Sequence, residues 1–117
     1  DYAYFNHSAH VGVGFGENRA AIGCETCHGR IDTMEVVRQV QPLSMSWCLD
    51  CHGDPAPNLR PVDKVTAMGW TPDLEWRAKS QKIAATLLPP GSLTRAQKFV
   101  DGHYKTYATA GCTGCHR

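Results

Sequence analysis

Cys24-Glu25-Thr26-Cys27-His28, Cys48-Leu49-Asp50-Cys51-His52 and Cys112-Thr113-Gly114-Cys115-His116 organise this sequence. Each is a Cys-x-x-Cys-His unit, and together they use all six cysteines of the chain. C-x-x-C-H is the attachment signature of c-type haem. Two thiols three positions apart can each form a thioether to one porphyrin edge, and the adjacent imidazole then lies under the iron as its proximal ligand. The pattern therefore predicts three covalent haem c groups, on Cys24 and Cys27, Cys48 and Cys51, and Cys112 and Cys115, with His28, His52 and His116 as proximal iron ligands. A structural zinc site would pair two Cys-x-x-Cys units and leave the third unit and all three histidines unexplained. A redox dithiol needs a neighbouring βαβ pattern that the sequence lacks, and a disulfide framework does not predict a His after every second Cys.

The chain has 117 residues, which is one domain's worth of polypeptide. Three haems in that length is one per 39 residues (117/3). At that loading the haems are expected to be the core, with no separate hydrophobic one. Twelve Lys and Arg against eleven Asp and Glu give a formal charge of +1, which argues against a nucleic-acid or anionic-membrane binder with a basic face. Three pairs of propionates outweigh the iron charges and would make the oxidised holoprotein about 3 units more negative than the bare chain.

Haem attachment outside the bacterial cytoplasm implies a periplasmic or equivalent location. Residues 1 to 23 contain no basic n-region followed by an apolar h-region, and no run of about 18 apolar residues occurs anywhere. The expectation is a removed signal peptide or a longer polypeptide with its export signal or membrane anchor upstream, so that membrane association would come through that anchor or through partners.

Three proximal histidines leave His7, His10 and His103 as candidate distal ligands, a count that matches three bis-His haems. His7 and His10 lie in Phe5-Asn6-His7-Ser8-Ala9-His10, where the i, i+3 spacing puts both imidazoles on one side of a single helical turn, within reach of two porphyrins. The alternative for such a pair is a solvated, unliganded couple. His103 falls on an apolar stripe of Ala96, Phe99, Val100 and Tyr107, where an axial ligand and a satisfied core histidine share one pattern. Its rivals are the thioethers of Met34 and Met45, the latter three residues before Cys48. A Met ligand would raise that haem's potential, although an apolar gap-filler against a porphyrin face is the commoner use of such a methionine.

The glycines of Gly12-Val13-Gly14-Phe15-Gly16 break any helix begun by the histidine pair, and with no strand before them they do not make a nucleotide-binding loop. Asp32, with Glu35 three residues on, predicts a capped helix that buries Met34, Val36, Val37 and Val40 and ends at Pro42. Asp54 to Pro61 reads as an extended linker. Thr71 as cap, Pro72 at the first position and Asp73 and Glu75 in the first turn predict a helix with Trp76, Ile83, Leu87 and Leu88 on its apolar face, stopped by Pro89-Pro90-Gly91. Positions 52 to 111 separate Cys51 from Cys112 by 60 residues, against 20 at positions 28 to 47 between Cys27 and Cys48. Residues 73 to 111 are accordingly expected to be a helical insertion within a single domain spanning 1 to 117. Trp70 and Trp76 fit either packing over the haems or a partner surface, with packing the commoner use.

The Phe-x-His-x-x-His opening followed by Cys-x-x-Cys-His motifs resembles the class III multihaem cytochromes. That resemblance implies a fold of mostly coil with short α-helices, wrapped around a three-haem cluster. It places His7 on the haem of Cys24 and Cys27 and His10 on the haem of Cys112 and Cys115, leaving His103 or a methionine for the middle haem. The stretches from Asp1 to Val11, Met34 to Cys48 and Asp54 to Pro61 are also similar to the C-terminal half of the pentahaem cytochrome subunit of alternative complex III, a bacterial quinol-oxidising complex. The likeness covers roughly residues 1 to 72 and resumes at the last motif, and it raises Met45 as a sixth ligand. Members of that family carry two further haems and an N-terminal anchor. The chain would then be a truncated or partly observed subunit, or a three-haem relative.

These features together predict electron transfer rather than catalysis, since full axial ligation leaves no open iron position for a substrate. The resemblance implies an iron–sulfur subunit as electron donor and a cytochrome c or an oxidase as acceptor. A free periplasmic three-haem shuttle or a unit of a haem filament is the alternative. An enzyme of the multihaem nitrite-reductase kind would require one five-coordinate haem.

Overall fold

The run Gly12 to Gly16 breaks the chain as the sequence predicts and then reverses it. In the structure, a computed structural model that describes residues 3–87 and residue 116, Val13 and Ala20 form an antiparallel bridge. The Val13 N–H donates to the Ala20 carbonyl at 2.8 Å and the Ala20 N–H to the Val13 carbonyl at 2.9 Å. Gly14 and Gly16 supply the positive φ (74° and 57°) that the loop requires and that L side chains rarely adopt. The reversal lays the His7–His10 segment alongside the approach to the first motif, where the Ile22 N–H donates to the His10 carbonyl at 2.8 Å.

β1 (Ala21–Ile22) pairs antiparallel with β2 (Leu59–Arg60), Ala21 opposite Arg60 and Ile22 opposite Leu59. Between them lie α1 (Cys24–His28), a 3-10 turn at Ile31–Thr33, and α2 (Met45–Gly53). After β2 the chain runs through a 3-10 turn at Val62–Lys64 to α3 (Leu74–Leu87). Among the described residues the fold is thus a small assembly of short helices, single 3-10 turns and coil held by a two-residue sheet.

Contrary to expectation, a separate hydrophobic core exists. Ala20, Ala56, Leu59, Ile83 and Ala84 are buried together, with Val13, Ile22, Trp76 and Leu87 packed against them. It is small. Leu59 and Ile83 are its large members, and full burial of such a side chain contributes roughly 1.5–3 kcal/mol. The alanines let α3 approach β2 and the Ala56–Asn58 turn closely.

The segment Asp54 to Pro61, expected to be a linker, supplies two of these five core residues. Ala56 is buried in a 3-10 turn against α3, and Leu59 and Arg60 are buried because they pair with β1 instead of crossing solvent. The helix expected after Asp32 is also absent: a single 3-10 turn at Ile31–Thr33 gives way to coil, and Val36 and Val37 are 77% and 73% exposed. Its proposed cap is engaged elsewhere, since the Asp32 carboxylate receives Nε and Nη2 of Arg30 at 2.8 Å each. Three β-branched valines before a proline then have little helical propensity to fall back on.

α3 forms as predicted but is capped two residues later. Asp73 Oδ1, not Thr71, accepts the Trp76 N–H at 2.7 Å, and the Asp73 carbonyl accepts the Arg77 N–H at 3.0 Å. Ile83 faces the core and the Trp76 indole N–H donates to the Leu59 carbonyl at 2.9 Å. Trp70 stands edge-on to Trp76 at 6.3 Å between ring centres, so both tryptophans are engaged in packing. Leu88, the segment from Ser92 to Tyr107 with His103, and Cys112 and Cys115 lie outside the described residues.

Candidate functional site

Two of the three Cys-x-x-Cys-His motifs fall on helices. α1 is the first motif itself, Cys24 to His28, ended by Gly29 at φ 68° with its N–H on the Glu25 carbonyl at 2.8 Å. α2 carries the second motif and starts at Ser44, whose Oγ accepts the Trp47 N–H at 3.3 Å. On a helix, Cys24 and Cys27, like Cys48 and Cys51, are an i, i+3 pair on one face. The four thiols form no disulfide with one another. Burial, with Cys48 and Cys24 nearby, pushes the Cys27 thiol above its usual range. Burial and Cys27 do the same to Cys51, against a hydrogen bond from Asn58 Nδ2 to Cys51 Sγ at 3.5 Å.

The two candidate distal histidines come from one turn. Asn6 caps the 3-10 turn His7–Ala9, its Oδ1 accepting the Ser8 N–H at 3.0 Å and the Ser8 hydroxyl at 2.7 Å, and the His10 N–H closes the turn on the His7 carbonyl at 2.9 Å. His7 lies parallel to His28, with ring centres 6.3 Å apart and 5° between planes. His10 faces His52, with ring centres 6.1 Å apart and 36° between planes. A metal–imidazole bond of about 2.0–2.1 Å, with the nitrogen about 1.1 Å from the ring centre, puts two trans imidazoles on one metal about 6.2–6.4 Å apart. Both separations fit an iron held between paired imidazoles, and each pair includes the histidine of a Cys-x-x-Cys-His motif. The residues therefore fit haem at two positions: Cys24, Cys27, His28 and His7 at the first, and Cys48, Cys51, His52 and His10 at the second.

The pairing departs from the one the resemblance implies. His10 stands opposite the middle motif, not the third, so neither His103 nor Met45 is needed there. Met45 is the first residue of α2 and 59% exposed. His116 is exposed, and the cysteines of its motif are outside the described residues.

Phe5 and Asn6 hold the histidine pair in ways that the sequence pattern does not spell out. Phe5 stacks on His10 at 4.5 Å and 28° and presents its edge to His7 at 4.9 Å and 90°, holding both rings. His10 Nδ1 is 2.9 Å from the Asn6 carbonyl. A carbonyl only accepts, so Nδ1 carries the proton and Nε2 keeps the lone pair that a metal needs. Phe5 belongs to the Phe-x-His-x-x-His pattern, and the general preference of Asn for the cap position is the signal that could have marked Asn6.

The first motif is anchored through its second residue. Glu25 receives the Gly69 N–H at 2.6 Å and Arg60 Nη2 at 3.0 Å, and Arg60 Nη1 also donates to the carbonyls of Ala67 (3.1 Å) and Lys64 (3.3 Å). The Arg60 guanidinium lies 5.4 Å from the centre of the Trp70 ring. The Gly69 N–H first, and then Arg60, hold the Glu25 carboxyl below its ordinary range against the opposing effect of burial. Gly23 leaves room for this guanidinium, since a Cβ there would overlap it.

A hollow of about 290 Å³ opens between the motifs, lined by Thr26, Trp47, Cys51 and Asn58 among others. A larger one of about 500 Å³ lies under α3 and is lined by no motif residue. No helix among the described residues is long and apolar enough to cross a membrane. No protein-family model matches this sequence, and no curated protein is significantly similar to it.

Proposed function

We propose that this protein is a three-haem c-type cytochrome of class III type that transfers electrons on the periplasmic side of a membrane, as part of a quinol-oxidising respiratory complex similar to alternative complex III. The observation that carries the reading is the pairing of motif histidines with the turn histidines, His28 with His7 and His52 with His10, at separations suited to an iron between them. Each haem, when bound, supplies a reversible one-electron Fe(III)/Fe(II) couple. Two cysteines would attach each haem and paired histidines would hold its iron, leaving no site for a substrate. His116, Cys112 and Cys115 would hold the third group, with His103 the remaining histidine for its sixth ligand. Electrons pass from an iron–sulfur subunit to a cytochrome c or an oxidase.

Expression in a host with a cytochrome c maturation system, followed by denaturing mass spectrometry, tests this directly. Three covalently retained haems are expected, with low-spin spectra at the first two positions that carbon monoxide and cyanide do not change. A chain recovered without covalent haem, or with an exchangeable ligand at the iron between His10 and His52, would overturn it.

A further inference from the structure

The two distal histidines share one turn but differ in what holds their outer faces. The His10 Nδ1–H donates to the Asn6 carbonyl at 2.9 Å, and Phe5 stacks nearly flat on the same ring. His7 is met by the edge of Phe5, and among the described residues no hydrogen bond reaches its ring. A hydrogen bond from the outer N–H of a ligating imidazole fixes the tautomer and raises the basicity of the coordinating nitrogen. A more basic ligand favours the higher oxidation state of the metal and lowers its potential, as second-contact hydrogen bonding does at haem centres generally. The asymmetry is built into the chain, since His7 opens the three-residue turn and His10 caps its end.

We propose that Asn6 is a positioning residue that tunes the middle haem: its side chain caps the turn, its carbonyl polarises His10, and the haem between His10 and His52 consequently has a lower reduction potential than the haem between His7 and His28. This rests on the haem reading above. Asn6 touches neither iron nor porphyrin. It acts by keeping its own carbonyl in line with His10 Nδ1, and the cap keeps it there, because Oδ1 holds the Ser8 N–H and hydroxyl at 3.0 and 2.7 Å.

The ring planes make the two haems separable. Parallel imidazoles (5°) and tilted ones (36°) give low-spin ferric signals of different anisotropy, the tilted pair at the larger gz. Reductive titration of the intact, haem-loaded protein, followed by electron paramagnetic resonance, should therefore remove the signal of the parallel pair first and that of the tilted pair at lower potential. Asn6→Ala should shift the tilted-pair potential upward and leave the parallel pair in place, whereas Asn6→Ser, which retains a capping oxygen, should titrate as the parent. Loss of the tilted signal first in the parent, or an Asn6→Ala change that moves both potentials equally or neither, would overturn the proposal.

If Asn6→Ala does not accumulate, nitrogen-15 histidine spectra of the parent give the same decision. The His10 Nδ1–H should exchange slowly with solvent and the corresponding His7 proton rapidly, and equal exchange would refute the asymmetry. A protein without covalent haem would instead overturn the functional reading, an outcome that mass spectrometry separates from all of these.

Discussion

Arg60→Met is the perturbation that most directly tests how the first motif is held. The Arg60 and Glu25 side chains are 7% and 16% exposed, and the pair joins β2 to the second residue of Cys24-Glu25-Thr26-Cys27-His28 across 35 positions of sequence. Methionine keeps most of the side-chain volume and removes the charge, the bond to Glu25, the two bonds to the Lys64 and Ala67 carbonyls and the contact with Trp70. Removing one partner of a buried ion pair costs about 3–5 kcal/mol, because the other charge stays buried and unpaired. Glu25 retains the Gly69 N–H at 2.6 Å, and the Arg60 Nε is itself buried without a partner, so the expected loss lies at the lower end, about 3 kcal/mol. Against a typical total of about 5–15 kcal/mol, that is a severe but survivable change. Urea unfolding of the haem-loaded protein should show a midpoint lowered by about 1–3 M at a typical slope of about 1–3 kcal/mol per M. A double-mutant cycle with Glu25→Gln isolates the pair, and its coupling should be about 1.5–3 kcal/mol, the value of a hydrogen bond to a charged group. A coupling near zero, or an Arg60→Met loss of under about 1 kcal/mol, would refute the view that this pair anchors the motif and would class it with exposed surface pairs.

His10→Ala should leave all thioethers intact and turn the middle haem high-spin while the first stays low-spin. His7→Ala should do the reverse, and optical spectra that report the same haem for both variants would refute the pairing. Because the Glu25 pKa is lowered on folding, its contribution to stability is complete above the ordinary value of 4.5 and disappears as pH falls through the lowered folded value. Thermal melts below pH 4.5 should accordingly lose stability more steeply in the parent than in Glu25→Gln, and parallel acid limbs would count against it. Replacing both partners, Arg60→Met with Glu25→Leu, should recover most of the stability lost by Arg60→Met alone, since apolar residues of similar volume often substitute for a buried pair. Urea midpoints measured side by side decide the point, and a double variant as unstable as the single one would contradict it.

What the sequence makes legible here is what local spacing controls. The Cys-x-x-Cys-His units dictate an i, i+3 thiol pair and a neighbouring imidazole whatever surrounds them. His7 and His10 share a turn because they are three residues apart and Asn6 caps them. Asp73, Glu75 and Trp76 similarly announce α3, with its start misplaced by two residues because Thr71 and Asp73 are both good caps and only tertiary packing chooses between them. The partner of His10 is another matter. It depends on the reversal at Gly14 and Gly16, which returns the chain so that Ile22 bonds the His10 carbonyl, and on the β1–β2 pairing, whose register links residues nearly 40 positions apart. No periodicity encodes either. The valines at 36, 37 and 40 show the opposite failure, where a helical spacing of apolar residues exists but the cap is taken by Arg30.

The same distinction explains why the first motif needs a buried ion pair. α1 has five residues, far below the length at which an isolated helix holds in water, so its position must come from tertiary contacts. The apolar cluster that could supply them contains three alanines and is centred on β2 and α3. A smooth alanine surface tolerates sliding, whereas a guanidinium that must meet one carboxylate oxygen, two carbonyls and an indole face admits a single placement. Arg60 is the residue of β2 directly opposite Ala21, three positions before Cys24, so the sheet register and the motif are fixed by one side chain. A slip of one residue in that register would point Arg60 to the other face of the strand, leaving Glu25 without it and moving His28 relative to His7. The geometry that the proposed iron ligation at the first motif requires is thus set by a charge buried next to a core too small to set it by packing.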